Sequence, residues 1–232
     1  MAVTSEDLTR EVRQFFKNAW TDRDSDKVPE PEDLGLGNDA VKLEGTVFYA
    51  DLSDSTDLVQ GYQPWFAAEM YKAYLWCCAK IIRDEGGTIT AYDGDRIMGI
   101  FVGGSRRNEA VQAALRINGA VSKTINPLIG ECYPKATYRM QHVVGVDDSK
   151  LFAARTGIRG SNDIVWVGQA ANYAAKLSSR SYHSSCTYIT KTVYDVLKKE
   201  NKLSSDQQEM WQLDYWDDRS IFVYRSTWCR SS

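Results

Sequence analysis

Histidine is nearly missing from this chain: of 232 residues only His142 and His183 carry an imidazole. Histidine-led acid–base or metal chemistry therefore has little to work with, and His142, flanked by Gln141 and Val143 in an apolar stretch, reads as structural. The five cysteines (Cys77, Cys78, Cys132, Cys186 and Cys229) are odd in number and nowhere set as CxxC, which argues against a disulfide framework and a zinc site. No apolar run approaches the ~20 residues of a membrane span, and the charged N-terminal stretch does not resemble a signal peptide. Neither sign of charge dominates: 28 Lys and Arg stand against 31 Asp and Glu, a net charge of −3. Binding to duplex nucleic acid needs a basic surface. These absences predict a cytoplasmic protein with neither a membrane nor a nucleic-acid partner.

What is present is an ordinary globular complement, 43% apolar and 25% charged, at a length suited to one compact domain with extensions. A helix is predicted over Ser5 to Trp20, where Leu8, Val12, Phe15, Phe16 and Ala19 recur at helical spacing. The polar stretch Asp22 to Gly37 reads as a linker, so residues 1–38 form an N-terminal helix and linker and residues 39–232 the main domain, C-terminal strands included. In that domain Gly45 to Leu52 is a strand and Gln63 to Asp84 a helix opened by Pro64. Thr88 to Tyr92 and Arg96 to Val102 are strands around Asp93-Gly94, a type I′ hairpin signal. Asn108 to Thr124 is a helix, followed by strands at Ala136 to Val146, Leu151 to Thr156 and Ile164 to Val167. The remainder reads as a helix (Gln169 to Leu177), a strand (Thr187 to Ile189), a helix (Val193 to Lys198) and strands at Met210 to Trp216 and Ile221 to Thr227. Strand, helix, strand, strand, helix, strand is the order of a ferredoxin-like split βαβ fold. It is α/β in the α+β sense, an antiparallel-rich sheet with helices on one face.

Two carboxylates stand out. Asp51 ends an apolar strand, and Asp95 follows the Asp93-Gly94 turn. In a split βαβ sheet the first strand lies beside the hairpin, so the two can converge. Paired hard-oxygen ligands with open positions suit Mg²⁺ or Mn²⁺ shared with phosphates. Ser53 to Thr56 leads into a helix, where backbone N–H groups can cradle a triphosphate. Taken singly, an Asp at a strand end or in a turn more often serves local hydrogen bonding.

Three segments, in order, supply the pattern: Phe48-Tyr49-Ala50-Asp51-Leu52, then Tyr92-Asp93-Gly94-Asp95-Arg96-Ile97-Met98, then Gly168-Gln169-Ala170-Ala171-Asn172-Tyr173-Ala174-Ala175-Lys176-Leu177. Together they resemble the class III nucleotide cyclases, which carry F-x-D-I, a GD hairpin and G-D-x-V-N-x-A-A-R, and the match spans about Val41 to Thr190. The resemblance implies that Asp51 and Asp95, helped by the Leu52 carbonyl, bind two metal ions. It also implies that Asn172 orients the ribose, and that Lys176 stands where the family has an arginine. That change keeps the charge and loses the bidentate fork. Read from the residues alone, Asn172 and Lys176 are a solvated helix face.

The base-reading positions depart from the adenylate cyclases. The usual Lys falls on Ala91 and the usual Asp or Thr on Val165, and neither can pair with a purine edge; an unpaired buried edge costs about 1–3 kcal/mol per group. With YADL, YDGDR and NYAAKL the chain resembles the pyrimidine cyclases of the bacterial Pycsar anti-phage system. That resemblance implies conversion of UTP to cyclic UMP with two Mn²⁺ (or Mg²⁺) ions per site, and a homodimer with its sites at the interface. A downstream effector that binds the cyclic nucleotide is also implied. Tyr49, two residues from Asp51 on the same strand face, is positioned to close over a small base, or is a core aromatic. Arg96 is positioned to donate to a pyrimidine carbonyl or phosphate, or to form a surface ion pair. Ser53 and Thr56 complete the substrate-binding set. Cytidylate cyclase is the near alternative, and a catalytically silent nucleotide-binding module the alternative from another class. A GGDEF-type transferase would need a hairpin other than Asp93-Gly94-Asp95-Arg96.

Overall fold

The computed structural model describes residues 2–180 and 186–230; His183 lies outside them. The chain opens with α1 (Ser5–Lys17), capped by Thr4 and ending short of the predicted Trp20. Thr4 Oγ1 accepts from the Asp7 amide and the Asp7 carboxylate accepts from the Thr4 amide, both at 3.2 Å. None of the α1 residues is buried.

The predicted linker is ordered. Residues 21–24 form β1 (Thr21–Asp24), parallel to the first part of β2 (Asp39–Leu52), and Pro31–Asp33 makes a 3₁₀ turn. Backbone pairing satisfies an otherwise open strand edge. Two charge pairs, Arg23–Asp39 at 2.8 Å and Lys42–Asp22 at 2.6 Å, fasten it. Charge complementarity across strands is invisible to a reading of local composition.

After α2 (Ser55–Gly61) comes α3 (Pro64–Asp84), with Pro64 in its first turn, and then the hairpin of β3 (Thr88–Asp93) and β4 (Arg96–Phe101). Its turn is one residue later than expected. Asp93 pairs with Arg96, the two central residues are Gly94 and Asp95, and only Gly94 has positive φ, at 64°. That is the pattern of a II′ rather than a I′ turn. The next helix, α4 (Arg106–Ala120), passes through a π turn (Val121–Ile125) into α5 (Asn126–Cys132) instead of continuing to Thr124. Pro127 has no N–H to continue the ladder, and Ser122 Oγ donates back to the Asn118 carbonyl at 2.8 Å.

The two strands expected over Ala136 to Thr156 are one 17-residue strand, β5 (His142–Ile158). Its polar middle looked like a break. Instead Asp148 is buried there, accepting from Thr46 Oγ1 at 2.7 Å and pairing with Arg106 at 2.7 Å and Arg107 at 2.5 Å. The chain continues through β6 (Ser161–Val167), α6 (Gln169–Ser178), β7 (Cys186–Thr190), α7 (Lys191–Tyr194), α8 (Lys199–Lys202), β8 (Gln212–Trp216) and β9 (Ile221–Ser226).

Among the described residues the sheet runs β3-β4-β2-β5-β7-β9-β8, with β1 added to β2 and β6 to β5. The first four strands, β3-β4-β2-β5, are antiparallel neighbours in ferredoxin-like order. Phe48, Ala50 and Leu52 pack under α3 and α4 with Phe66, Tyr74 and Leu115. The opposite face is not bare: Val41, Val47, Met98 and Ile100 meet Ala170, Ala171 and Ala174 of α6. Helices thus cover both faces, a correction to the one-face expectation. Close approach of α6 depends on Gly145, where a Cβ would lie 2.1 Å from the Ala174 carbonyl oxygen. Trp211 and Trp216 are buried, whereas Trp228 is partly exposed. No helix among the described residues is long and apolar enough to cross a membrane.

His142 is structural, as its surroundings suggested. It is fully buried, its Nε2 donates to Asn118 Oδ1 at 2.8 Å, and the Asn118 amide nitrogen donates to the Trp228 carbonyl at 2.8 Å. Burial lowers its pKa to about 3. Because the unfolded chain binds this proton near pH 6.5 and the folded one does not, the histidine's contribution is fully present above that pH. It is lost as pH falls toward 3, at about 1.4 kcal/mol per pH unit. Urea unfolding from pH 7.5 to 4.5 is expected to show a slope steeper than that of His142→Gln by this one-proton amount.

Candidate active site

The candidate residues converge because of strand register. Asp51 lies opposite Arg96 on β4 and opposite Val143 on β5, and Arg96 in turn lies opposite Asp93 on β3. Directly opposed residues share a sheet face, so Asp93, Arg96 and Asp51 form one row. The next row is Ala91, Met98, Tyr49 and Gly145. Both rows face the side on which α6 packs. Asp95, in the tight turn itself, stands at the open end of the Asp51 row.

The acids are held against their own electrostatics. Burial first, and then the charge of Asp95, raise the Asp51 carboxyl to about 6; Arg96 offsets part of this. Such a shift marks a half-buried carboxylate whose desolvation and acidic neighbour outweigh the counter-charge of Arg96. Two hard anionic oxygens with the adjacent Leu52 carbonyl are a donor set suited to Mg²⁺ or Mn²⁺. No cluster of three or more His, Cys, Asp or Glu forms a metal cage among the described residues. Most coordination positions at the Asp51–Asp95 pair would thus fall to phosphate and water.

Arg96 combines both of its sequence readings. It pairs with exposed Asp93 at 2.8 Å, and its guanidinium lies 5.6 Å from the centre of the Tyr49 ring. Tyr49, half-buried, is flanked by the second core and fixed in orientation by that cation. Ser53 is half-buried and its amide donates to the Gln141 carbonyl at 2.9 Å, so this one amide of the expected loop is taken and cannot cradle a phosphate. Thr56 is exposed in the first turn of α2.

Other motif residues are not brought to the acids. Asn172 and Lys176 lie four apart on the exposed side of α6, opposite buried Ala170, Ala171 and Ala174. Val165 lies opposite Ala154, itself opposite Ala40 on β2. Ala40 is at the far end of β2 from Asp51, about 36 Å away along the strand at ~3.3 Å per residue. Ala91 and Val165 therefore do not face one pocket within a single chain.

A cleft of about 200 Å³ adjoins Asp51, with Ser53 and Asp54 on one wall and Ser178, Ser179 and Arg180 on the other. Arg180 escaped the sequence reading. The signal was present, a basic residue one turn past Lys176, but α6 ends at Ser178 and only the fold turns Arg180 toward the cleft.

No family model matches the chain. Two curated proteins called uridylate cyclase are each 45% identical to it. The one from Xanthomonas perforans aligns over 225 residues and 96% of both chains, the one from Burkholderia cepacia over 226 residues and 97% of both. A uridylate cyclase from Rhodovulum sp. is 34% identical over 97% of each. Among solved structures, the guanylyl cyclase Cya2 superposes with a TM-score of 0.67 at 15% identity, over 82% of this chain and 94% of its own. The adenylyl cyclase CyaB from P. aeruginosa gives 0.63 at 19%, over 82% and 97%. At these identities the structures establish the fold, that of a class III cyclase catalytic domain.

The Asp51 shift has a direct consequence for stability. A carboxyl whose folded pKa is raised stabilises the fold in its protonated form; that contribution is lost as pH rises from the usual carboxylate value to about 6. Above pH 7 without divalent ions, Asp51→Asn should melt several degrees higher than the parent protein. Added Mn²⁺ should raise the melting temperature of the parent and not of the variant. An equal response to Mn²⁺ in both would show that the cation binds elsewhere.

Proposed function

Because the chain belongs to the uridylate cyclase family, we propose that it converts UTP into cyclic UMP and pyrophosphate. The observation that carries this reading is Asp51, half-buried and raised to about 6 with Asp95 as its neighbour. In the proposal Asp51, Asp95 and the Leu52 carbonyl hold two Mn²⁺ or Mg²⁺ ions. Such ions supply charge neutralisation at the α-phosphate and acidify the ribose 3′-hydroxyl. The 3′-hydroxyl gives up its proton to solvent water, its oxygen forms the bond to the α-phosphorus as the bond to the bridging oxygen breaks, and pyrophosphate leaves with that electron pair. Side chains here position and neutralise rather than form covalent intermediates.

Tyr49 closes over a small base. Arg96, with one arm on Asp93, donates from the rest of its fork to a uracil carbonyl; it is a pure donor, and uracil offers two acceptors where cytosine also presents an amine. Ser53 and Thr56 offer hydroxyls to phosphate oxygens. Asn172 orients the ribose and Lys176 neutralises phosphate charge, both acting on the acid pair of a second protomer. The homodimer is supported by the distance of Val165 from Asp51 along β2, and by the outward side of α6 that Asn172 and Lys176 share. In this reading residues 39–232 are the catalytic domain and residues 1–38 an N-terminal extension. The reaction runs in the cytoplasm, and cyclic UMP serves as an anti-phage second messenger read by a cyclic-nucleotide-binding effector, in line with the resemblance to the Pycsar cyclases.

Incubation with each of the four NTPs and Mn²⁺, followed by mass spectrometry, is expected to yield cyclic UMP from UTP. Cyclic CMP as the main product would favour the cytidylate alternative, and product from ATP alone would overturn the pyrimidine assignment. Asp51→Ala and Asp95→Ala should each lower turnover at least ~100-fold, as expected when charge stabilisation is lost. Both variants should leave the N-terminal helix and sheet signals in circular dichroism unchanged. Mixing inactive Asp51→Ala and Asn172→Ala chains should restore about a quarter of wild-type activity, because half of the random dimers carry one intact interface site. No recovery in mixed dimers would rule out sites shared between protomers.

A further inference from the structure

The C-terminal strands approach the acid pair from the side opposite the hairpin. Tyr188 on β7 lies beside Gly145 on β5, which lies opposite Tyr49 on β2. Tyr188 is thus two strand spacings from Tyr49, ~10 Å across the same face. The Arg180 guanidinium lies over the Tyr188 ring at 4.7 Å from its centre, and its Nη2 donates to Asp214 on β8 at 3.1 Å. A backbone bond from the Arg180 amide to the Leu177 carbonyl, 3.3 Å, fixes its start just beyond α6. The side chain therefore has a ring beneath it and a carboxylate on one edge.

The cleft it borders carries Asp51 and Asp54 on the other wall, and Arg180 is the one cation among its described lining residues. A triphosphate entering beside two carboxylates needs positive charge on the far side as well as at the metals. An arginine presents five N–H donors in a planar fork that matches phosphate oxygens, and Asp214 engages one of them. The pair itself is part-exposed, with 23% of the arginine and 28% of the aspartate side chain accessible, and one-armed, so it adds little to stability. Its arrangement is better explained by orientation of the guanidinium.

We propose that Arg180 binds the β- and γ-phosphates of the substrate and the pyrophosphate product, in the same chain as Asp51, and that Asp214 is the residue that positions it. This gives the C-terminal β8–β9 hairpin a part in the site. The proposal rests on the cyclase reading above, and its test separates the two.

The probe is 3′-deoxy-UTP, which lacks the attacking hydroxyl and so reports binding alone, measured by calorimetry with Mn²⁺, alongside inhibition by pyrophosphate and by UMP. Arg180→Ala is expected to weaken 3′-deoxy-UTP and pyrophosphate at least about tenfold, leaving UMP, which has no β- or γ-phosphate, unchanged. Asp214→Asn should raise KM for UTP several-fold with kcat little changed, and Arg180→Lys should recover part of the affinity lost in Arg180→Ala. Unchanged affinity in Arg180→Ala, or an equal loss for UMP, overturns the assignment to Arg180. Unchanged KM in Asp214→Asn overturns its positioning role. If Arg180→Ala fails to give a cooperative melt, Arg180→Lys and Asp214→Asn carry the same comparison. Failure of the wild-type protein to bind 3′-deoxy-UTP overturns the uridylate cyclase reading instead, and pyrophosphate affinity in wild type against Arg180→Ala then decides the Arg180 proposal by itself.

Discussion

Asp51 and Asp95 repel one another, and only the backbone keeps them together. The register of β2 against β4 fixes the end of one strand beside the hairpin, and Gly94 lets the chain reverse tightly enough to leave Asp95 in the turn. Desolvation adds to the repulsion, since Asp51 is half-buried. The sheet tolerates this because both of its faces are anchored nearby. Phe48, Ala50 and Ile97 are sealed under α3 and α4, while Val47, Met98 and Ile100 are sealed under α6. Burial of that apolar surface is the favourable term against which a strained acid pair can be maintained. Function here draws on stability supplied elsewhere in the fold.

The long strands divide the labour along their length. β2 pairs with β4 over Thr46 to Asp51 and with β1 over Asp39 to Lys42; β5 runs beside it throughout, carrying β7 at one end and β6 at the other. One end of this ribbon holds the acids, Tyr49, Arg96 and the Arg180 cleft. The other holds Val165. Between them Asp148, paired with Arg106 and Arg107, keeps its charge inside the sheet with partners, as a buried charge requires. The long β5 therefore stays continuous where its sequence turns polar, and a continuous β5 sets the separation between the two ends.

Much of the candidate site was legible in the residues. Asp51 at the end of an apolar strand and Asp95 after Asp93-Gly94 were enough to place both at neighbouring strand ends. Asn172 and Lys176 stood out only through the resemblance of their segment to the cyclase motif; by spacing alone they are a solvated helix face. Ala91 and Val165 drew notice only through the same resemblance, as the positions where adenylate cyclases carry polar residues. Arg180 and Asp214 were not legible, because nothing local distinguishes an arginine past a helix end or an aspartate in an aromatic strand from surface charge. The same blindness hid β1, whose pairing with β2 depends on charges contributed by a distant strand, and the Arg106 and Arg107 contacts that keep β5 whole.

What the sequence by itself determined was periodic or punctuated: which segments are helix or strand, the split βαβ order, and the types of residue presented at each end. Those follow from short-range sterics and from the alternation of apolar side chains, which act within a few residues. What only the tertiary structure decided was proximity. It set α6 on the second face of the sheet through the absent Cβ of Gly145, stacked Arg96 on Tyr49, turned Arg180 between Tyr188 and Asp214, and kept Val165 far from Asp51. Such contacts join residues distant in the chain. Their free energy depends on the packing of whole elements, which no local pattern encodes.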